Sequence, residues 1–590
     1  MNFARSLSAA PLLCFLAACG SANASNETNE SAPVAANAAA ITTSAGPSSP
    51  TAFKIGTNLN SIQIWDNTRP FMNLIMGSSW QMLNTAAPSG TVDVPQDWLD
   101  ANGWVKNLPA GYRVYRGMSV PAAGGNIVCK FQGSGTLNVT GGPATNVSTG
   151  PGVTSFTVPA TNPKDWAGVT VMYENIDPAN YIRNIDCRES SASTTETIAP
   201  EFLTAAQGFK VLRFVKWTPD VEANAASITW AKRNKPGDGE WTRNDGVPVE
   251  VMVETANKLG ADPWFTLPWN ADADYITRFA TYVRDNLASG HQAYFEVSNE
   301  VWNGGYQVFN QARSEAQQEG LKSAEDGLSP GGPGERYSEK TNQVMSIITT
   351  VYTGQMDRVV RVFAFQHVQP IWSDLLLKYQ DAYKSVDALA TAPYFGYEFT
   401  ADMGFDQMIG LLPQRVDDAL MFANQQKAVA TKYNLRYVTY EAGQHIILPN
   451  NLPLLTQIQK DPRMYDAYKR FLTGWQAQIG DTLTLFAFTG PISQFGAWGM
   501  SEYANQPLAE TPKMRAVKEF LGTSTTTADS GTTTPAPTPS PTPVYYTCPD
   551  GTVILATSTC PATTTVKKRG RKGGGGGTGG SRAEVGTALA

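Results

Sequence analysis

The sequence predicts an α/β protein built on a (β/α)8 TIM barrel, with a small all-β insert after the first strand and disordered linkers at both ends. Eight short apolar segments between residues 51 and 522 have the near-continuous hydrophobicity of parallel strands buried on both faces. Amphipathic helical segments lie between several of them. No GxGxxG motif follows the first strand, so a dinucleotide-binding open sheet is disfavoured. Repeated strand–helix alternation therefore favours a closed barrel.

The predicted barrel strands share a short length and an apolar character. They are 53–58 (FKIGTN), 210–217 (KVLRFVKW), 262–267 (DPWFTL), 293–298 (AYFEVS), 359–365 (VVRVFAF), 386–392 (VDALATA), 436–441 (RYVTYE) and 482–489 (TLTLFAFT). Helices are predicted from apolar residues at i, i+4 and i+8 spacing over 247–260, 273–287 and 462–480.

A change of pattern marks residues 100–195, between the first and second barrel strands. Here six short β-type runs are separated by Gly, Pro and Asn turns, which predicts an inserted β-sandwich within the barrel region 51–522. Either a stabilising insert or a glycan-binding module is consistent with this pattern.

The N-terminus predicts an exported protein. Residues 1–19 hold one basic residue, a short apolar stretch and the sequence LAAC, and they are too short to span a membrane. They resemble a bacterial lipoprotein signal, which implies that Cys19 carries a lipid and tethers the chain to a membrane. An ordinary cleaved signal is the alternative. Gly20 after the cysteine implies the outer membrane, so we expect an outer-membrane lipoprotein or a periplasmic or cell-surface protein.

The regions that flank the barrel have the composition of linkers. Residues 20–50 are rich in Ala, Ser, Thr, Asn and Pro, as in a flexible tether. Residues 523–547 form a Pro/Thr linker that is unable to bury a core. Residues 548–590 are predicted to form a Cys-bounded loop and a disordered, Gly-rich basic tail. Solvation of this tail is favoured over binding to a polyanionic surface.

The six cysteines separate by position. Cys14 leaves with the signal and Cys19 is the lipidation site, so an even number remains in an exported chain. The remainder predicts two disulfides, Cys129–Cys187 and Cys548–Cys560. No CxxC or Cys/His cluster has metal-binding spacing, so we expect no metal and no cofactor.

The overall charge argues against nucleic acid as a partner. The net charge is −6 and the pI is about 5.4, and no basic patch lies outside the extreme C-terminus. The 14 Trp and 22 Tyr residues are more informative, because several of them fall at strand ends. We expect a monomer.

Two predicted strands end in a glutamate. The fourth strand leads through YFEVSNEVWNGG to Asn299 and Glu300, and the seventh ends in Tyr440 and Glu441. Glu296 lies deeper in the fourth strand. In a barrel the active site lies at the C-terminal ends of the strands, so the two terminal glutamates face each other across the mouth. Glycosidic bond cleavage needs such a pair, one acid to protonate the leaving oxygen and one carboxylate to attack the anomeric carbon.

These motifs carry a family resemblance. SNE at the end of the fourth strand, with a lone Glu at the end of the seventh, resembles the retaining (β/α)8 glycoside hydrolases of clan A. More closely, FEVSNEVWN with YEAGQH is similar to poorly characterised exported bacterial cellulose-binding or glycosidase-like proteins. The resemblance covers residues 51–522, most specifically 247–303. Val301 stands where many members carry Pro, and the insert after the first strand is unusually large.

The resemblance implies a role for each of these residues. Glu300 would be the general acid/base and Glu441 the nucleophile, about 5–5.5 Å apart as in retaining enzymes. Asn299 would bond the 2-hydroxyl of the sugar. Arg213, inside the second strand, would pair with Glu441, because a buried guanidinium needs a carboxylate partner.

Three further residues are weaker candidates. His367, after the fifth strand, would tune either glutamate or serve as a structural histidine. His445 would line the site or pack its loop, and Tyr394 is placed to donate a hydrogen bond to the nucleophile.

Tryptophans at strand ends indicate a carbohydrate ligand, because the apolar faces of sugars stack on indole rings. Trp498 is the best platform for the cleaved sugar by resemblance. The predicted substrate-binding set is Asn299, Arg213, Trp217, Trp269, Trp302, His367, Tyr394, His445 and Trp498.

The sequence thus predicts a retaining O-glycoside hydrolase that cleaves a β-linked polysaccharide or oligosaccharide at the cell surface. A non-catalytic glycan-binding surface lipoprotein with the same cleft is the main alternative. A structural or adhesive surface protein is the third, in which the insert and the tail carry the function.

Overall fold

The computed structural model describes residues 53–523, apart from several short segments, together with two short C-terminal strands. The segments outside the description are 65–67, 87–91, 165–167, 220–221, 223–226, 243–245 and 322–330. The strands Tyr545–Thr547 and Val553–Leu555 pair antiparallel in a unit separate from the preceding chain. The predicted signal, Cys19, the 20–50 tether and the Cys548–Cys560 disulfide lie outside the described residues.

Eight parallel strands form the centre of the molecule, and one of them lies within each predicted segment. They are β1 (Ile55–Asn58), β2 (Val211–Arg213), β3 (Asp262–Leu267), β4 (Ala293–Val297), β5 (Val359–Ala364), β6 (Ala388–Thr391), β7 (Arg436–Thr439) and β8 (Leu483–Leu485). Their spatial order is β7-β6-β5-β4-β3-β2-β1-β8, and every neighbouring pair is parallel. The predicted (β/α)8 fold class is confirmed.

The barrel is nearly closed between β7 and β8. Here the Thr439 amide donates to the Thr482 carbonyl at 3.1 Å, and the Thr484 amide donates to the Thr439 Oγ1 at 2.7 Å. A side-chain hydroxyl thus takes the place of one backbone acceptor in the ladder, and this contact brings the last strand back to the seventh.

Ten α-helices precede, separate or follow the strands in the described residues. They are α1 (Pro200–Ala206), α2 (Val249–Leu259), α3 (Ala273–Asn286), α4 (Gln307–Gln318), α5 (Gly331–Val351), α6 (Pro370–Lys378), α7 (Phe405–Lys432), α8 (Leu452–Lys460), α9 (Pro462–Gln478) and α10 (Pro512–Phe520). The three helices predicted from sequence correspond to α2, α3 and α9. None of these helices, within the described part of the chain, has the length and hydrophobicity needed to cross a bilayer.

Local sequence explains where α3 begins and where α2 ends. The Asp272 side chain accepts a hydrogen bond from the Tyr275 amide and so caps the N-terminus of α3. Gly260 ends α2 with φ 60° and ψ 48°, a left-handed conformation that glycine adopts at low cost.

Strand alternation creates two separate apolar layers. Val211, Trp264 and Tyr294 belong to a cluster inside the barrel, where the Trp264 and Tyr294 rings stack with centroids 5.0 Å apart. The next residues along the chain, such as Phe265 and Phe295, belong to the larger core between strands and helices. Because side chains alternate, residues two positions beyond the interior cluster also face the barrel interior, closer to its C-terminal mouth.

The insert consists of two antiparallel sheets. One contains, in order, Arg183–Glu189, Gly125–Gln132, Val153–Val158 and Thr145–Gly150. The other contains Val92–Asp93, Gln81–Asn84, Tyr112–Ser119, Gly168–Glu174 and Thr136–Gly141. The first two strands of the insert therefore lie before residue 100, the predicted start of the insert, where the alternating sequence pattern begins.

The predicted Cys129–Cys187 disulfide is confirmed. The two cysteines lie directly opposite each other on neighbouring antiparallel strands. The bond therefore cross-links two strands within one sheet, and its two ends are 58 residues apart in the chain.

The insert follows β1 and so belongs to a loop at the C-terminal end of the barrel, the end that carries active sites. The Arg116 guanidinium donates to the Gly239 carbonyl, and the Gly239 amide donates to the Asn102 carbonyl at 2.7 Å. Lys164 forms a 3.0 Å ion pair with Glu502. Since Gly239 follows β2 and Glu502 follows β8, the insert packs against two loops of the barrel mouth.

Candidate active site

A buried arginine lies at the centre of the polar groups in the barrel mouth. Arg213 ends β2, and its Nη1 donates to Glu441 Oε1 at 2.8 Å and to Asn58 Oδ1 at 2.9 Å. Its Nε and Nη2 each donate to Glu296 at 3.0 Å, and Nη2 also donates to Asn299 Oδ1 at 2.7 Å. The ion pair expected between Arg213 and Glu441 is therefore present.

Two carboxylates compensate for the burial of this arginine. Burial lowers the pKa of Arg213, but the charges of Glu296 and Glu441 more than offset this and raise the pKa above its ordinary value. Burial also raises the pKa of Glu296, while Arg213 and the Trp264 indole N–H oppose that rise. The Tyr440 ring covers the guanidinium, with 5.0 Å between the guanidinium carbon and the ring centroid. Arg213 is thus a fixed cation in the floor of the site.

Glu441, two residues after β7, is held through both of its oxygens. Oε1 accepts from Arg213, and Oε2 accepts from the Tyr394 hydroxyl at 2.8 Å. Its side chain is almost fully buried, since the residue is 6% exposed. Tyr394 reaches it because the short strand Tyr394–Phe395 pairs in parallel with Gly443–Gln444. The two donors fix the orientation of the carboxylate.

Glu300 leaves β4 on a turn with unusual backbone conformation. Ser298 and Glu300 have φ values of 58° and 44°, in the left-handed region that residues other than glycine seldom adopt. The half-buried Glu300 carboxylate accepts from Asn303 Nδ2 at 3.0 Å through Oε2. Its Oε1 accepts from the Tyr440 hydroxyl at 3.3 Å. This turn carries the carboxylate away from the strand and toward the cleft.

The surroundings of Glu300 favour its neutral form. Burial raises its pKa most, and the charge of Glu441 raises it further, to about 8. At neutral pH Glu300 is therefore mainly a carboxylic acid that can give up a proton. Two neighbouring carboxyl groups in such different environments are typical of an acid and a nucleophile.

The Asn299 amide is oriented from both sides. Its Oδ1 accepts from Arg213, and its Nδ2 donates to Glu222 Oε1 at 2.9 Å. Glu222 also accepts from Lys216 Nζ at 2.7 Å. An amide nitrogen has two hydrogens, and Glu222 takes one of them, so the geometry is compatible with the predicted bond from Asn299 to a sugar hydroxyl.

A series of aromatic rings leads outward from Glu441. The Tyr394 ring centroid lies 4.9 Å from that of His445, and the Trp498 Nε1 donates to His445 Nδ1 at 3.2 Å. Burial lowers the pKa of His445 to about 4, which keeps the imidazole neutral and able to accept that bond. The structure thus brings Tyr394, His445 and the half-buried Trp498 together beside Glu441.

Trp302 is the other half-buried tryptophan of the predicted set. It lies two residues after Glu300, and its Nε1 has no hydrogen-bond partner in the described part of the chain.

Two predicted substrate-binding tryptophans are instead core residues. Trp217 is 1% exposed and donates through Nε1 to the Asn60 carbonyl at 3.0 Å. Trp269 is 2% exposed and donates to Glu315 Oε1 at 3.0 Å. Both belong to the core between strands and helices, so the substrate contacts predicted for them are wrong.

His367 also lacks a free face for substrate. Its Nδ1 is paired with the Thr391 hydroxyl at 2.9 Å, and its Nε2 is paired with the Ala419 carbonyl at 3.1 Å. Burial lowers its pKa to about 4, so the ring is neutral. His367 joins β6 to α7 through both ring nitrogens, which agrees with the structural alternative predicted for it and leaves no ring nitrogen for a substrate.

Several site residues were not predicted: Asn58, Glu222, Glu296 in its role as arginine partner, Tyr306 and Tyr440. Burial raises the pKa of Tyr306, and the charges of Glu300, Glu222 and Glu441 add to this rise, so its hydroxyl lies in the field of these carboxylates. Tyr306 follows Glu300 in the same loop, and Tyr440 adjoins Glu441. Their positions in sequence are a signal that could have identified both. In the described residues, no group of three or more His, Cys, Asp or Glu side chains has the placement needed to hold a metal ion.

No protein-family model and no curated protein matches the chain. Solved structures of glycoside hydrolases show low similarity to it. A GH51 arabinofuranosidase from Xanthomonas axonopodis pv. citri is 13% identical, with a TM-score of 0.34, over 53% of this chain and 64% of that chain. A beta-glucosidase from Thermotoga maritima is 12% identical, with a TM-score of 0.32, over 54% and 84%.

A 4-O-alpha-L-rhamnosyl-beta-D-glucuronidase from Fusarium oxysporum is 11% identical, with a TM-score of 0.32, over 54% of this chain and 63% of that chain. This chain thus spans less than two thirds of the arabinofuranosidase and of the glucuronidase. At these values the likeness does not bear on the activity or the substrate of the protein.

Proposed function

We propose that the protein is a retaining glycoside hydrolase that cleaves a β-linked polysaccharide or oligosaccharide at the cell surface. One observation carries this proposal. Glu300, with a pKa raised to about 8, lies in the field of Glu441, whose carboxylate is held by Arg213 and Tyr394. A neutral acid beside an oriented carboxylate is the pair that glycosidic cleavage requires.

In the first step, Glu300 donates its proton to the glycosidic oxygen as the bond to the anomeric carbon breaks. Glu441 attacks that carbon and forms a glycosyl ester, and the rest of the chain leaves as an alcohol. The Asn299 amide, fixed by Arg213 and Glu222, donates to the 2-hydroxyl of the sugar.

In the second step, Glu300 is a carboxylate and takes a proton from a water molecule. That water attacks the anomeric carbon, the ester bond to Glu441 breaks, and the sugar is released with its original configuration. The Tyr394 hydroxyl and Arg213 stabilise the departing carboxylate of Glu441, and Glu300 is again protonated for the next cycle.

The test is an activity screen of the purified full chain on a β-glucan, a mannan, a xylan and a polyuronate. We expect sugar release by the wild type and none by Glu441→Ala. Added azide should restore turnover of an activated glycoside by Glu441→Ala and give a glycosyl azide, because azide fills the space of the missing nucleophile.

Arg436→Lys is a matched control, since Arg436 pairs with Asp481 at the start of β7, at the opposite end of the strand from Glu441. Binding of a polymer without hydrolysis would overturn the enzyme and favour a glycan-binding surface lipoprotein. Unchanged behaviour of Glu300→Gln and Glu441→Gln in every assay would favour a structural or adhesive protein.

The cellular site of action is part of the proposal. A lipid on Cys19, with residues 20–50 as a tether, would hold the barrel at the outer membrane, where polymeric glycans are accessible. The composition of the N-terminus supports this placement.

A further inference from the structure

A large aromatic side chain is exposed on the loop that follows β8. Phe495 is 51% exposed, whereas most phenylalanines of the described chain are buried. A single exposed apolar side chain is common on protein surfaces, so the meaning of this one depends on how it is held and what it adjoins.

The backbone holds this ring outward on a tight hairpin. The Ser493 amide donates to the Gly496 carbonyl at 3.0 Å, and the Gly496 amide donates to the Ser493 carbonyl at 3.1 Å. At the tip, the Phe495 amide donates to Ser493 Oγ at 3.2 Å, and that hydroxyl donates to the Gly496 carbonyl at 3.3 Å. The exposure of Phe495 is thus set by a braced turn.

The hairpin is locked to the tryptophan beside the nucleophile. A Cβ on Gly496 would come within 2.3 Å of the Trp498 ring, and Gly496 has a φ of 144° that other residues rarely adopt. Trp498 can therefore lie against the hairpin only because this residue is glycine.

Two buried side chains anchor the same loop to the barrel. The carbonyl of Ala497, between the hairpin and Trp498, accepts from Gln444 Nε2 at 2.7 Å and from Lys513 Nζ at 2.5 Å. Gln444 ends the short strand that follows β7, and Lys513 lies in α10, so two elements fix the position of the loop. A fixed aromatic loses little conformational entropy when a ligand binds.

These contacts form a continuous path from Glu441 to the exposed ring. Tyr394 bonds Glu441, His445 lies against Tyr394, Trp498 donates to His445, and the hairpin adjoins Trp498. We infer that Phe495 is a binding platform for a second sugar ring of the glycan, outside the unit held between the two glutamates. This inference rests on the proposed function and deepens it, because it selects a chain of at least several sugars as the substrate.

The first measurement compares two substrates of the sugar that the wild type accepts. A hexasaccharide can reach Phe495, whereas the glycosyl fluoride of one sugar unit has a leaving group too small to do so. For Phe495→Ala we expect the ratio of kcat/KM on the hexasaccharide to kcat/KM on the fluoride to fall roughly fivefold to tenfold. Phe495→Trp should restore the ratio. Val147→Ala, a 43% exposed residue on the insert, should leave it unchanged.

The second measurement does not depend on turnover. Electrophoresis of the full chain through gels that contain the β-glucan, mannan, xylan or polyuronate reports polymer binding as retardation. The platform is supported if Phe495→Ala weakens the retardation and Val147→Ala does not. This holds even if no polymer is hydrolysed and the proposed function fails. An unchanged ratio with unchanged retardation in Phe495→Ala overturns the platform while hydrolysis stands. If no polymer is hydrolysed and none retards the protein, both the platform and the proposed function are overturned.

Discussion

Glu300 and Glu441 have different immediate neighbours. Glu441 receives a guanidinium and a phenol, whereas Glu300 receives one amide and one long contact from Tyr440 and lies next to another carboxylate. The raised pKa of Glu300 follows from burial first and from the charge of Glu441 second. The proposed chemistry therefore depends on the difference between the surroundings of the two carboxyl groups.

This difference predicts a pH dependence. In the proposed mechanism Glu300 is protonated in the first step, so kcat/KM should fall as the pH rises through about 8, the pKa to which burial and Glu441 raise this group. The measurement is kcat/KM on an oligosaccharide from pH 5 to pH 10. Fluoride leaves a glycosyl fluoride without help from an acid. Glu300→Gln should therefore form the glycosyl ester from this substrate at a rate that does not fall as the pH rises through about 8. A wild-type profile that stays flat up to pH 10 would remove Glu300 from the role of acid.

Arg213 allows a second prediction at this scale. Arg213→Lys keeps the charge but cannot reproduce the bonds to Glu441, Glu296, Asn58 and Asn299. We expect kcat to fall at least a hundredfold and the free energy of unfolding to fall by about 3 kcal/mol, because Glu296 is left buried with poor pairing. Steady-state kinetics and denaturant titration measure the two effects.

Arg436→Lys is again the control, because it weakens a bidentate pair with Asp481 far from the mouth. It should reduce stability and leave kcat within about twofold. Equal loss of kcat in both variants would contradict a specific role for Arg213 in holding Glu441.

The sequence predicted the acidic pair and Arg213 for a definite physical reason. A carboxylate after an apolar strand, and an arginine inside one, are costly unless they face a polar site. Trp217 and Trp269 were predicted as ligand contacts because both lie at or just past the end of a predicted strand. Position along the chain does not tell whether such a ring turns toward the cleft or toward the core between strands and helices. Glu222 was missed because its loop has no periodic pattern.

At the scale of elements, buried parallel strands were the easiest to predict. Each of the eight lies in a short apolar segment, and the helices α2, α3 and α9 show clear apolar faces. The first strands of the insert were harder. Gln81–Asn84 is only half-buried along its length, and Val92–Asp93 is exposed, so neither has the alternation that marks a strand.

The disulfide predicts how the insert responds to substitution. Replacing Cys129 and Cys187 together with Ala opens a loop whose ends are 58 residues apart, and we expect the insert to lose about 4 kcal/mol of stability. Thermal unfolding followed by circular dichroism should show the insert melting earlier than in the wild type. Hydrolysis at low temperature should persist, because neither cysteine approaches the glutamates. Unaltered unfolding of the double variant would show that the bond does not stabilise the insert.

At the scale of the whole molecule, the insert and the barrel share the active-site end. Arg116 and Lys164 of the insert contact the loops after β2 and β8. The same two loops contain Glu222 and Trp498. The insert thus packs against two loops of the mouth, and the stabilising and glycan-binding alternatives that its sequence left open both stay predictions.

The proposed anchoring gives a prediction at this scale. In cells fed a radioactive fatty acid, the full chain should incorporate label and partition into a detergent phase, and Cys19→Ala should do neither. Cys14→Ala is the matched control, because Cys14 lies in the segment that is removed. Labelling that survives Cys19→Ala, or is missing from the wild type, would contradict the lipid anchor.

The contact between β7 and β8 has a consequence for motion. At this contact the hydroxyl of Thr439 replaces one backbone acceptor. The pairing of β7 with β8 is therefore weaker than the pairing of the other neighbouring strands, which is made by backbone hydrogen bonds. Amide hydrogen exchange in the barrel should therefore begin between β7 and β8. Tyr440 and Glu441 come directly after Thr439, the last residue of β7. Opening between β7 and β8 would disturb the backbone that leads to Glu441, whereas the bonds of its carboxylate to Arg213 and Tyr394 oppose that movement. Exchange would thus report opening of the ring of strands on the side that carries Glu441.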